Sequence, residues 1–158
     1  MARKNLDPRR TNILVDSCAF DPKYSPEDKA SETLFKLSQE NEIILIVAHS
    51  NQKEIEHPNT PAWVKREAQS RIYTIETGLT DNERSMKTKI LGILAGDGKP
   101  EKMRQDAEHV YEASKYGSYF VTTDERILKR EKELYECRTV TVLRPSEMLR
   151  IYQEYASA

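Results

Sequence analysis

The 158-residue sequence has no long apolar run, no cysteine pattern and no excess of either charge sign. Each absence removes a class of protein. No stretch approaches the roughly 18 apolar residues that span a bilayer, and the first residues lack the apolar core of a secretory signal, so no membrane partner is expected. Cys18 and Cys137 form neither a CxxC pair nor a staple pattern. That favours a reducing compartment, and a cytoplasmic location follows by default. With 25 basic and 26 acidic residues, net charge does not announce a polyanion binder, although local patches count for more than the sum. The histidines, His49, His57 and His109, are scattered, and there are no repeats or low-complexity segments.

The length suits one domain able to bury a core. Residues 1–10, with Arg3, Lys4, Arg9, Arg10 and Pro8, read as a flexible basic arm. Residues 11–158 read as a single domain. Thr11–Asp16 is a short apolar strand suited to the centre of a sheet, and Ile43–Ala48 is a fully apolar strand of the kind buried in parallel sheets. Ser25 as N-cap and Pro26 at the first helical position start a helix that runs to Gln39. Ile72–Ile75 reads as a further short strand. Thr80-Asp-Asn-Glu83 is a capping box ahead of Met86, Ile90, Ile93 and Leu94. A helix over 101–115 turns Met103, Ala107, Val110, Tyr111 and Ser114 inward and stops at Gly117. Residues 119–122 form a strand, Thr123 caps a helix to about 134, and Thr139–Leu143 is the last strand before a C-terminal helix. Strands alternating with helices predict an α/β fold, three layers (α/β/α) around a mostly parallel sheet.

Four acids carry the functional expectation. Asp16 ends the first apolar strand and Asp124 follows the strand Tyr119–Thr123. Glu54 follows the second strand and Asp106 opens an amphipathic helix. Ligands of open α/β sheets bind outside the carboxyl ends of the strands. Four carboxylates around one cleft repel one another unless a cation holds them, and hard oxygen ligands suit magnesium or manganese. Taken singly, Asp124 reads equally well as a helix cap, and Asp106 and Glu54 as exposed helical acids. Glu56, Asp97 and Glu108 are reserve candidates, and His109 reads as a surface or packing residue.

The local text around these acids resembles the PIN-domain family of metal-dependent ribonucleases. Asn12-Ile-Leu-Val-Asp16-Ser-Cys-Ala-Phe20 is similar to its opening strand and first catalytic aspartate. Ser50-Asn-Gln-Lys-Glu54-Ile55 resembles its second motif, and Asp106-Ala-Glu-His-Val-Tyr-Glu-Ala113 with Lys115-Tyr-Gly117 its third. Tyr119-Phe-Val-Thr-Thr123-Asp124-Glu-Arg-Ile-Leu128 resembles the fourth. The resemblance covers about residues 11–143. It implies a PIN-like fold and a metal-dependent endoribonuclease in which Asp16, Glu54, Asp106 and Asp124 are the catalytic and metal-holding residues for Mg²⁺ or Mn²⁺. Ser17 and Thr123 would be supporting hydroxyls. RNA as substrate is implied by the resemblance alone. So is an antitoxin protein as a partner, since the family includes toxin components. The segment 58–100 and Cys18 beside the site depart from the compact toxin members.

A polyanion approaching an acidic cleft needs positive rims. Arg84, Lys87 and Lys89 supply one candidate edge, Arg126, Lys129 and Arg130 a second, and Lys65, Arg66 and Arg71 a third. A homodimer is also expected, because the C-terminal helix carries Met148, Leu149, Ile151, Tyr152 and Tyr155 on more than one side. The rival is that this helix only closes the monomer core. Two rival functions share the same residues: a non-catalytic RNA-binding or scaffold domain, and a metal-dependent phosphomonoesterase.

Overall fold

The computed structural model describes residues 5–51, 58, 60–71, 78–138 and 140–157. Four short parallel strands form one sheet: β1 (Asn12–Val15), β2 (Ile44–Ile46), β3 (Tyr119–Val121) and β4 (Thr141–Leu143). Their order is β2-β1-β3-β4, with Ile13 level with Leu45 on one side and Tyr119 on the other. β1 is therefore central, as its apolar run predicts. β2 differs from the expectation of a strand buried on all sides. Among the described residues it is an edge strand, and Ile44 is 51% exposed. An apolar run identifies a strand but does not place it within the sheet.

Side chains alternate across the sheet because the strand period is two. Ile13, Val15, Leu45, Tyr119, Val121 and Leu143 face one core, and Leu14, Ile46, Phe120 and Val142 face the other. Helices α1 (Glu27–Gln39), α2 (Ala62–Ser70) and α7 (Pro145–Ala156) cover the first face. Helices α3 (Asp81–Ala95), α4 (Arg104–Tyr116), α5 (Glu125–Leu128) and α6 (Glu131–Arg138) cover the second. The architecture is three-layer α/β/α with an all-parallel sheet of four strands among the described residues.

Several local expectations hold and several shift. The Thr80–Glu83 capping box forms, with the Glu83 amide donating to Thr80 Oγ1 at 3.1 Å and the Thr80 amide to Glu83 Oε1 at 3.0 Å. Gly117 ends α4. Ser25 does not cap α1; Pro26 holds that position with no side-chain bond. Asp124, not Thr123, caps the helix after β3, and that helix breaks into α5 and α6. The expected strand over 72–75 lies outside the described residues. Residues 5–10, read as arm, are docked on the core: Pro8 is buried, Tyr119 Oη donates to the Leu6 carbonyl, and Tyr155 Oη to that of Asn5.

The apolar surplus on α7 is taken up within the chain. Met148 and Ile151 are buried, and Leu149, Tyr152 and Tyr155 pack against the same cluster. Its N-terminus is held by Glu27, a carboxylate only 3% exposed, which accepts from the Ser146 amide and hydroxyl, each at 2.8 Å. Deleting that acceptor strands a helix-end amide. Glu27→Ala is expected to cost about 1–3 kcal/mol in urea unfolding, with Glu27→Gln milder. Equal midpoints for wild type and Glu27→Ala would show that water replaces the carboxylate.

Candidate metal centre

The sheet order reverses between β1 and β3, since β1 leads to β2 on one side while β3 and β4 lie on the other. Such a switch point opens a crevice at the carboxyl ends of the two strands. Asp16 follows the end of β1 and is 4% exposed. Its amide donates to the Val121 carbonyl at 2.8 Å, which fixes it beside β3. Its Oδ1 accepts from the Ser17 amide at 2.9 Å and from Asn51 Nδ2 at 3.1 Å. Its Oδ2 accepts from Thr122 Oγ1 at 2.8 Å and from the Cys18 thiol at 3.4 Å. A buried carboxylate is tolerated only with such donors around it.

Thr122 is the residue that sequence reasoning missed by one position. It is fully buried, and while its hydroxyl donates to Asp16 it accepts from the Asp124 amide at 3.1 Å. One hydroxyl thus ties two acids together. Thr123, the expected supporting hydroxyl, donates to the Cys18 carbonyl at 3.3 Å. Ser17 contributes its amide to Asp16. Strand alternation placed Thr122 on the same parity as Phe120, a signal that would have identified it. Asn51 carried no such signal. The Cys18 residue is exposed, but its thiol turns inward to Asp16 and Thr122. Burial of that thiol and the Asp16 charge push it up to about 12, so it stays protonated and acts as a donor rather than a nucleophile.

Asp106, on the first turn of α4, reaches the same region from the second helical layer. Burial, then the charge of Asp124, raise its carboxyl to about 6, with Arg126 and His109 opposing and Asp16 adding to the rise. Asp124 moves the other way. Hydrogen bonds from the Arg126 side chain hold it below the usual carboxylate range, against burial. The contrast follows from geometry. Asp124 receives Arg126 Nε at 3.1 Å, Nη2 at 2.8 Å and the backbone amide at 2.9 Å, whereas Asp106 has Nη2 alone at 3.4 Å. Asp124 caps α5 and also stands beside Asp106 across the Arg126 guanidinium.

The structure therefore brings Asp16, Asp106 and Asp124 into one neighbourhood, tied together by Thr122 and Arg126. Glu54 lies outside the described residues. Among the described residues no three His, Cys, Asp or Glu side chains close on a common point. With Arg126 in place, the positive charge between Asp106 and Asp124 is a guanidinium. The donor set still suits a hard divalent ion: three carboxylates, with the buried Asn51 Oδ1 alongside, which accepts no hydrogen bond among the described residues.

Behind Asp106, His109 is fully buried, not on the surface. Ser50 Oγ lies 2.8 Å from its Nδ1 and also donates to Glu112. Ser50 thus holds its turn onto α4 beside Asn51.

The expected cationic rim is largely paired. Arg84 bonds Asp81 and the Leu79 carbonyl, Lys87 lies 3.1 Å from Glu108, and Arg130 lies 3.6 Å from Glu133. Lys129 lines a cavity of about 490 Å³ with Thr141, Arg144 and Arg150. Arg126, expected on the rim, belongs to the acidic site itself. Arg71, from the third edge, bonds Glu67 and Ser38 and lies over the Phe35 ring at 5.3 Å.

No protein-family model matches the chain, and comparison with curated proteins finds no match. No helix of the described residues is long and apolar enough to cross a membrane.

The raised Asp106 carboxyl gives a pH prediction. Its folded value of about 6 exceeds the ordinary 3.8, so between these values the folded state holds a proton that the unfolded state has lost. Stability of the metal-free protein falls as pH rises through that window and levels off above it. A metal ligand must be deprotonated. Mn²⁺ affinity, read by calorimetry, is therefore expected to weaken roughly tenfold per pH unit below about 6. A flat affinity from pH 5 to 7.5 would remove Asp106 from the ligand set.

Proposed function

We propose that this protein is a divalent-metal-dependent endoribonuclease of the PIN-like kind that its four motifs resemble. One observation carries the proposal. Asp16, Asp106 and Asp124, from three separate segments, lie near one another at the switch point of a parallel sheet, Asp16 and Asp124 linked through Thr122 and Asp124 and Asp106 through Arg126. In this reading Asp16, Asp106 and Asp124 hold Mg²⁺ or Mn²⁺, with Glu54 as the fourth acid. When bound, the ion supplies Lewis acidity toward the phosphoryl oxygens and an attacking water. The chain's own residues do the positioning. Thr122, Asn51 and the Ser17 amide fix both oxygens of Asp16. Thr122 also sets the Asp124 backbone, so the two acids keep a constant separation.

RNA rather than DNA rests on the family resemblance. Arg84, Lys87, Lys129 and Arg130 are the proposed phosphate contacts. Solvent-exposed ion pairs such as Arg84–Asp81 are worth little, so a phosphate exchanges for the carboxylate at small cost. The test is cleavage of a broad panel of single-stranded RNAs with Mn²⁺ or Mg²⁺, with and without chelator. Cleavage at internal bonds that stops with chelator supports the proposal; phosphate release from mononucleotides without internal cleavage supports a phosphomonoesterase. A metal-free RNA-binding module is favoured by one feature, the guanidinium already neutralising two of the acids. It requires RNA binding that is unchanged by chelator, with no cleavage.

A further inference from the structure

We infer that Arg126 is a tethered counter-ion that a divalent metal must displace from Asp106 and Asp124; this rests on the metal-dependent reading above. Half of the Arg126 arrangement is generic. The chain contains a second Asp-x-Arg clasp, in which Asp7 accepts from the Arg9 amide at 3.0 Å, Nε at 3.0 Å and Nη2 at 2.9 Å. The Asp124–Arg126 clasp repeats it contact for contact. Such a clasp follows from an acidic cap two residues before an arginine and by itself assigns nothing.

Two features separate Arg126 from Arg9. Its Nη2 also reaches Asp106 Oδ2 at 3.4 Å on another helix, whereas the corresponding atom of Arg9 reaches a backbone carbonyl, that of Tyr155, at 3.4 Å. Arg126 therefore joins two members of the acidic site. Its hold on Asp124 also occupies both carboxylate oxygens, Oδ1 through Nε and the amide, Oδ2 through Nη2. A metal ion and the guanidinium compete for those atoms and repel each other. The Arg126 side chain is 58% exposed, so it leaves toward solvent without opening the core. Once displaced it remains beside the site with its planar fork free for a phosphate.

The test is Mn²⁺ binding to the full chain by calorimetry, with melting of the metal-free protein in parallel. Four proteins are compared: wild type, Arg126→Gln, Arg126→Lys and Arg9→Gln. Arg126→Gln is expected to bind Mn²⁺ roughly tenfold tighter or more, since a neighbouring unit charge is removed. Its metal-free melting temperature is expected to fall, because the acids then repel without a counter-ion. Arg126→Lys, which keeps the charge but lacks the fork, should lie between the two, and Arg9→Gln should bind as wild type does. If wild type binds Mn²⁺ and Arg126→Gln and Arg126→Lys bind no tighter, the counter-ion inference is overturned while the metal site stands. If Arg9→Gln tightens binding as much as Arg126→Gln does, the effect is one of net charge and the inference also fails. If neither wild type nor Arg126→Gln binds Mn²⁺ at millimolar concentration, the metal-dependent reading and the inference fall together.

Discussion

Asp16→Asn and Asp124→Asn are each expected to lower RNA cleavage by about 10²–10³-fold while leaving the melting temperature within a few degrees of wild type. The replacement preserves shape and removes charge. At Asp16 the amide oxygen still accepts from the Ser17 amide and Asn51, while the new amide nitrogen points at Thr122, whose hydroxyl rotates to accept it. What is lost is negative charge where a cation and the developing transition state require it, and this affects the transition state more than the ground state. Single-turnover rates on one cleavable RNA, with circular dichroism of each variant, measure both halves of the expectation. Equal rates for wild type and Asp16→Asn would assign the activity to a contaminant. A large rate loss with loss of fold would make Asp16 a structural acid.

Gly117→Ala should give the largest loss of stability from a single methyl group, about 1–3 kcal/mol. The reason is not backbone conformation, because Gly117 is extended, with φ −155° and ψ −158°. It is proximity. A Cβ there would lie 2.9 Å from Leu14 Cδ1 and 3.1 Å from the Asn12 carbonyl carbon, with the carbonyl oxygen nearer still. The same carbonyl accepts from the Ser118 amide at 3.2 Å, and Asn12 Nδ2 donates to the Tyr116 carbonyl at 2.9 Å. The chain between α4 and β3 is thus pressed onto the start of β1. The added methyl separates the two central strands where their pairing begins. At roughly 2–4 °C per kcal/mol for a chain of this size, thermal melting resolves the effect. An unchanged melting temperature would show that the end of α4 yields freely.

The sequence was most legible where an apolar run ends on a charge. Val15-Asp16 and the strand before Asp124 mark both the centre of the sheet and its carboxyl ends. Helix caps made of a side chain and a nearby amide were legible too, as at Thr80–Glu83. What depends on distant partners was not. Ile43–Ala48 has the same apolar text whether its strand is central or at the edge, and only the order of the sheet exposes Ile44. Thr122 and Thr123 are identical in composition, and the pleat decides which one meets Asp16. The apolar surplus of α7 suggested a partner, but Tyr152 and Tyr155 pack against the chain's own core. Arg126 looked like a cation on the rim because its second carboxylate, Asp106, comes from another helix.

Among the described residues the open sheet has two edges, β2 and β4, and each is only three residues long. Just past β2, the Val47 amide already donates to the Arg71 carbonyl at 3.0 Å. A neighbouring molecule that tried to add a strand along either edge would find few backbone groups in register, and at β2 it would meet a segment of the same chain. Short or covered edges of this kind discourage edge-to-edge growth. The folded protein is therefore a poor seed for cross-β association despite an apolar residue facing water at Ile44. Clouding of a heated or urea-treated sample should track the population of opened chains and not the concentration of native protein.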